Sequence, residues 1–291
     1  MAKNKIKKMR EPINWKKELK LLPGYIIITL WVVFTAVVLI WILAASLSTS
    51  KEIYSGAVLE FKSGFHFENY SNAWNAQNVS VFFANSLLYA TVSCIGIILI
   101  SAPAAYVLSR FTFLGNKTIK SSLIVAMSIP SIMVILPVFS QATAWHITGT
   151  RWLLIILYIC LNVPFTTTFL LNFFGTLSRT YEEAAAIDGC SPMKTFWVIM
   201  LPLAQPGLIT VGIFNFLAVW NEYFVAMVFA SSDKLKSVGY GLFSLVAAMR
   251  STGDLGGLFA AVVIVFLPTF ILYIFMSEKI IAGVTGGGIK G

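Results

Sequence analysis

The chain has 291 residues, 58% of them hydrophobic and only 11% charged, with a formal charge of +9 and a mean hydropathy of +0.83. Soluble domains carry roughly 25% charged residues, so this composition excludes a water-soluble globular fold and asks for a bilayer as second solvent. The positive excess is not a nucleic-acid signature. Eight Lys and Arg fall between Lys3 and Lys20, with no aromatic–basic interleaving, and such a tail reads as a topology signal that also suits anionic lipid headgroups.

The basic tail at 1–24 leads into an apolar run at 25–46. That run is longer than a signal-peptide core and long enough to span, so it is read as a retained first helix. A polar loop at 47–80 follows. Five more apolar runs lie at about 81–108, 121–140, 152–175, 206–230 and 257–277. Unpaired backbone groups are not tolerated in lipid, so each run is taken as a helix. Their continuous apolarity also argues against the alternating pattern of a barrel. The predicted fold class is an all-α membrane protein of six transmembrane helices, with a core at 81–277 and a Gly-rich tail at 278–291. Pro103, Pro130, Pro137, Pro164 and Pro268 lie inside spans and are read as kinks that shape the helices.

Lys and Arg set the orientation. With the first residue inside, inner segments hold fifteen of these residues and outer segments six. Both termini are therefore predicted in the cytoplasm, and 47–80 and 231–256 become the outer loops. Cys94, Cys160 and Cys190 are odd in number and read as unpaired thiols. His66 and His146 are assigned to loops rather than to metal. No phosphate-binding Gly-rich loop, metal cluster or Ser/His/Asp set is present in the sequence, so the chain is read as non-enzymatic and without its own cofactor.

The most informative segment is 178–202. Thr180 and Glu183 have capping-box spacing, which predicts a helix from Tyr181. Ala184, Ala185 and Ala186 favour that helix and leave its surface smooth. Gly189 suits a left-handed C-terminal cap, and Ser191-Pro192 suits a second helix start. That second helix is expected to end at Met200, with Pro202 as its stop, and Phe196, Trp197 and Ile199 against lipid or neighbouring spans. The product is a helical hairpin on the cytoplasmic face.

Glu183-Ala184-Ala185, Gly189 and Leu201-Pro202 resemble the EAA loop of binding-protein-dependent ABC importer permeases. Asn85-Ser86-Leu87, Ala105-Tyr106-Val107-Leu108-Ser109-Arg110, Ile129-Pro130, Leu136-Pro137 and Trp220-Asn221-Glu222-Tyr223 are similar to segments of the carbohydrate branch. The end of the chain looks like that of the smaller permease subunit of the maltose importer. One departure is local: Ser178 and Arg179 stand where many relatives have a proline, which bears on the entry to the hairpin.

The resemblance implies a type I ABC importer permease fold and a heterodimer with a second permease. It also implies two ATP-binding subunits, which hold ATP and Mg, and an extracytoplasmic sugar-binding protein. It assigns ATPase coupling to Glu182, Glu183, Ala184, Ala185, Asp188, Gly189 and Pro192. The 231–256 loop is expected to touch the binding protein, and the tail to reach the ATPase pair.

Polar residues in or near spans are the candidates for the translocation path: Asn85, Asn162, Asn215, Asn221, Glu222 and Tyr223. Amides, hydroxyls and aromatic faces are the groups that read sugars, although polar residues in spans also bind helices to one another. Glu222 is the one carboxylate within a predicted span, where an ionisable group is expensive and a functional candidate by default. No Lys or Arg lies deep in a predicted span, which favours a neutral sugar over an anionic solute such as a glycerol phosphate. The rival from another class is a stand-alone channel or secondary transporter.

Overall fold

The computed structural model describes residues 15–286, all in helices, turns and short connections, with no strand among the described residues. Four unbroken helices are long and apolar enough to cross a membrane: α1 (Trp15–Ser46), α4 (Val79–Arg110), α7 (Arg151–Thr176) and α14 (Leu255–Gly286). Two bent pairs also pass on length and composition, so the described residues hold up to six spans, the number expected, if each bent pair is one.

The first bent pair is α5 (Asn116–Ser128) and α6 (Ser131–Ala144), which meet at 94°. The run at 121–140 is thus not one straight span. Pro130 supplies no N–H, and its ring drives Ile129 into extended backbone at φ −82°, ψ 121°, so the helix stops and restarts. Pro103, Pro164 and Pro268 stay inside helices.

The second bent pair is centred on α11 (Gln205–Trp220). Its 16 residues give a rise of about 24 Å, short of a bilayer core. At one end Ala204 separates it, at 73°, from the helical stretch Pro192–Leu203. At the other end the chain breaks at 221–223 and resumes as α12 (Phe224–Phe229). The predicted span at 206–230 is therefore interrupted.

The core bundle is α4, α7, α11 and α14. Small residues let its backbones approach. A Cβ on Gly96 of α4 would sit 2.6 Å from Cδ1 of Ile159 on α7. Tyr89, Leu154 and Tyr158 are fully buried between these two helices, and Phe229 of α12 joins the same cluster. Helix α1 stands outside the core and leans on α14 through Ala44, Ala45 and an edge-on Trp41–Phe259 contact. The rest of its length exposes Ile, Val, Phe and Trp, a surface suited only to lipid or another apolar partner.

Two segments read as outer loops hold more structure than expected. Between α1 and α4 lie α2 (Ser50–Tyr54) and α3 (Glu68–Asn75). Buried Glu52 completes a capping box with Thr49 and also accepts from the Ser63 amide and hydroxyl. Ser50 and Gln77 then tie this segment to the start of α14. The 231–256 stretch is mostly α13 (Val238–Thr252), packed on α4 and α14. The Gly-rich tail at 278–291 is helical as far as Gly286, and its remaining residues lie outside those described. A lone Gly inside a helix costs only about 1 kcal/mol, too little to end α14 at Gly283.

Candidate functional site

The hairpin at 178–203 begins where α7 ends. Leu177 is extended, and the Ser178 hydroxyl accepts the Thr180 amide at 3.2 Å. Helix α8 (Thr180–Ile187) therefore starts one residue earlier than predicted, with Arg179 at its N-cap position. The Thr180–Glu183 capping box does not form, because Thr180 already belongs to the helix. Ser178 is the residue that sequence reading missed. Its position, two residues before the helix, was the available signal. Glu182 and Glu183 lie in the first turn, where the helix dipole favours negative charge.

Gly189 takes φ +73°, and its amide donates to Ala186. Side chains rarely adopt that conformation, so the predicted glycine cap is required here. Ser191 accepts the Lys194 amide, and Pro192 opens α9 (Pro192–Thr195). The chain continues through a π turn at Phe196–Met200 into α10 (Leu201–Leu203). Pro202 does not stop this stretch. The helical stretch runs one residue past it, to Leu203, before the bend at Ala204.

The seven predicted coupling residues divide between two faces. Glu183, Ala184, Asp188, Gly189 and Pro192 are exposed, whereas Ala185 is buried and Glu182 is turned inward. Ile187 (87% exposed) and Met193 (67% exposed) join the outer face. Their exposure was not legible from spacing. Inside, Glu182 Oε1 lies 3.0 Å from Nε of Arg110, the last residue of α4. Arg110 also donates to the Leu177 carbonyl at 2.8 Å. Phe196 is buried and packs on the rings of Tyr106 and Phe174, while Trp197 is exposed. An open cavity of about 320 Å³ runs beside the hairpin, lined in part by Tyr106, Arg110, Arg179 and Glu182.

The six pathway candidates do not converge on one cavity. Asn85 is buried and donates to the carbonyls of Lys234 and Lys236, and its oxygen accepts from Arg151. Asn215 is buried against Thr166 at 2.9 Å. Asn162 donates to Tyr158 on its own helix. The Glu222 carboxylate accepts from the amides of Val225 at 2.7 Å and Ala226 at 3.3 Å, and from the Tyr158 hydroxyl at 3.2 Å. It thereby caps α12 and explains the break in the fifth span. Asn221 and Tyr223 flank an open cleft of about 350 Å³ with Trp220, Leu242 and Phe243. Asn221 and Tyr223 are exposed there, with the Asn221 amide donating to the Leu217 carbonyl of α11 at 2.9 Å.

His66 and His146 lie in loop or turn backbone, the former bonded to Ser63 and Glu68. The three cysteines are unpaired. Among the described residues no group of three or more metal-ligating side chains comes together.

Comparison with known proteins places this architecture. Residues 96–278 match the family described as "Binding-protein-dependent transport system inner membrane component". The diacetylchitobiose uptake system permease protein NgcG of Streptomyces coelicolor is 32% identical over 267 residues, 92% of this chain and 88% of that one. The trehalose/maltose transport system permease protein MalG of Thermococcus litoralis is 28% identical over 287 residues, covering 97% and 100%. The fold matches a chain of a bacterial ABC transporter involved in import of the acidic polysaccharide alginate, with a TM-score of 0.78 at 20% identity and coverage of 93% and 99%. The chain is a membrane-embedded permease and belongs to the family of binding-protein-dependent transport system inner membrane components.

Proposed function

We propose that this chain is one permease subunit of an ATP-driven importer for a di- or oligosaccharide. It pairs with a second, similar permease, two ATP-binding subunits carrying ATP and Mg, and an extracytoplasmic sugar-binding protein. Both termini lie in the cytoplasm, as the Lys and Arg asymmetry argues. The single observation that carries this reading is the hairpin. Its outer face of Glu183, Ala184, Ile187, Asp188 and Gly189 is exposed, while its inner face is anchored on α4 and α7. A smooth, rigid knob with apolar and acidic groups suits insertion into a groove on another protein.

The sugar assignment draws support from relatives named for diacetylchitobiose and trehalose/maltose. The Asn221–Tyr223 cleft is the surface whose groups suit a neutral sugar. The test is a Gly189→Trp variant in the complete importer. A Cβ at Gly189 would meet no atom within 4 Å, so the indole projects from the docking face, while the positive φ adds backbone strain to the cap of the hairpin. Binding-protein-dependent uptake of radiolabelled diacetylchitobiose, trehalose or maltose should be lost while the ATP-binding subunits still co-purify. Normal uptake in Gly189→Trp would end the docking reading. Uptake of none of these sugars by the wild-type importer would count against the substrate class.

A further inference from the structure

Helix α4 makes polar contacts at both ends. At the hairpin end, Arg110 makes the ion pair with Glu182 and bonds the Leu177 carbonyl. The two side chains are only 7% and 19% exposed. Removing one member of such a pair strands a poorly solvated charge. At the opposite end, α4 grips the turn that precedes α13. Asn85 donates to the carbonyls of Lys234 and Lys236, and Tyr89 donates to that of Leu235 at 3.0 Å. The Ser86 hydroxyl accepts the Val238 amide at 2.8 Å.

That turn is bonded onward, since the Ser237 hydroxyl donates to the Glu222 carbonyl at 3.2 Å. It therefore touches the break in the fifth span. From Ser86 to Arg110 the helical rise is about 36 Å, close to the thickness of a bilayer core. Most of these contacts reach backbone atoms, so α4 cannot slide along its axis without moving the hairpin, the 233–238 turn or both.

We propose that Arg110 is a positioning residue that joins the docking hairpin to α4, and that α4 carries hairpin displacement to the 233–238 turn and the Glu222 break. Glu182 is then an internal strut rather than an ATPase contact. This rests on the reading that the hairpin seats on an ATP-binding subunit.

The test uses the complete importer in lipid nanodiscs: wild type, Arg110→Glu, Glu182→Arg, and the double charge swap. ATP hydrolysis is measured alongside amide hydrogen exchange at 234–241, with and without ATP plus vanadate. In the wild type, nucleotide should change exchange at 234–241. Each single variant should lose most of that response, about fivefold or more, while keeping hydrolysis within about threefold. The double swap should restore the response, as expected for directly interacting residues. If a single variant sheds the ATP-binding subunits, recovery of both assembly and response in the double swap supports the joint. A double swap that recovers neither overturns it.

An unchanged response in the single variants also overturns the proposal. So does a wild type that hydrolyses ATP yet shows no nucleotide response at 234–241. A wild type that neither retains an ATP-binding subunit nor hydrolyses ATP instead fails the functional reading itself, and the joint with it.

Discussion

Replacing Glu222 separates a structural carboxylate from one that works on the solute. The side chain accepts two amides at the start of α12 and the Tyr158 hydroxyl. Helix α12 has only six residues, so its first amides have few alternatives. Loss of an N-cap acceptor costs about 0.5–2 kcal/mol. A side-chain bond between membrane helices is worth about 0.6 kcal/mol on average. Glu222→Ala should therefore destabilise the chain by about 1–3 kcal/mol. Glu222→Gln keeps one oxygen for the Val225 amide and should cost about half as much. Equilibrium unfolding in mixed detergent micelles would read this, with buried Trp220 beside the break as a fluorescent reporter among the chain's tryptophans. If the cap is the whole role, Glu222→Gln supports near-normal uptake. A Glu222→Ala chain as stable as the parent, in which both substitutions nevertheless abolish uptake, would refute the capping account and place the charge in the path.

The Thr166–Asn215 pair is buried between α7 and α11. Thr166→Val or Asn215→Leu alone strands the partner and should cost about 1–3 kcal/mol, whereas the double substitution should recover part of the loss. Two additive single losses in the same unfolding assay would contradict that. A Cβ on Gly239 would lie 2.8 Å from the Glu222 carbonyl, whereas one on Gly212 meets nothing nearer than 3.8 Å. Gly239→Ala should cost about 1–3 kcal/mol by overpacking and Gly212→Ala should be neutral or stabilising, so equal effects would refute the packing argument. The Glu52 carboxyl is held down to about 2, chiefly by the Thr49 amide and then by the Ser63 amide and hydroxyl. Its contribution is fully present above the ordinary value of 4.5 and is lost as pH falls toward 2. Hydrogen exchange over 49–63 should thus stay protected at pH 5 and loosen between about pH 4 and 2. In Glu52→Gln it should be loose throughout, and a wild-type segment already open at pH 5 would contradict the assignment.

Much of the architecture was legible because lipid leaves few options. A long apolar run must satisfy its own backbone, so length and composition were enough to locate the crossings. Gly189 and Ser191-Pro192 were legible because each acts on its immediate neighbours. The failures share another cause. Prolines at 103, 130, 164 and 268 look alike in sequence, yet only Pro130 breaks a helix outright. The interruption at 221–223 has no proline or glycine at all, and needs Glu222 to cap one segment while Tyr158 reaches it from another helix.

The polar residues divide along the same line. Residue type alone nominated Asn85 and Asn215 for a sugar, but their hydrogen bonds are spent on the 234–236 carbonyls and on Thr166. Glu182 and Glu183 are neighbours in sequence, and one faces Arg110 while the other faces outward. The six apolar runs, the charge asymmetry and the glycine-capped hairpin follow from sequence alone, because solvent and short-range backbone geometry decide them. Which proline breaks a helix, which amide bonds to another helix, and which glutamate turns inward depend on atoms brought from distant parts of the chain, and only the tertiary structure supplies those.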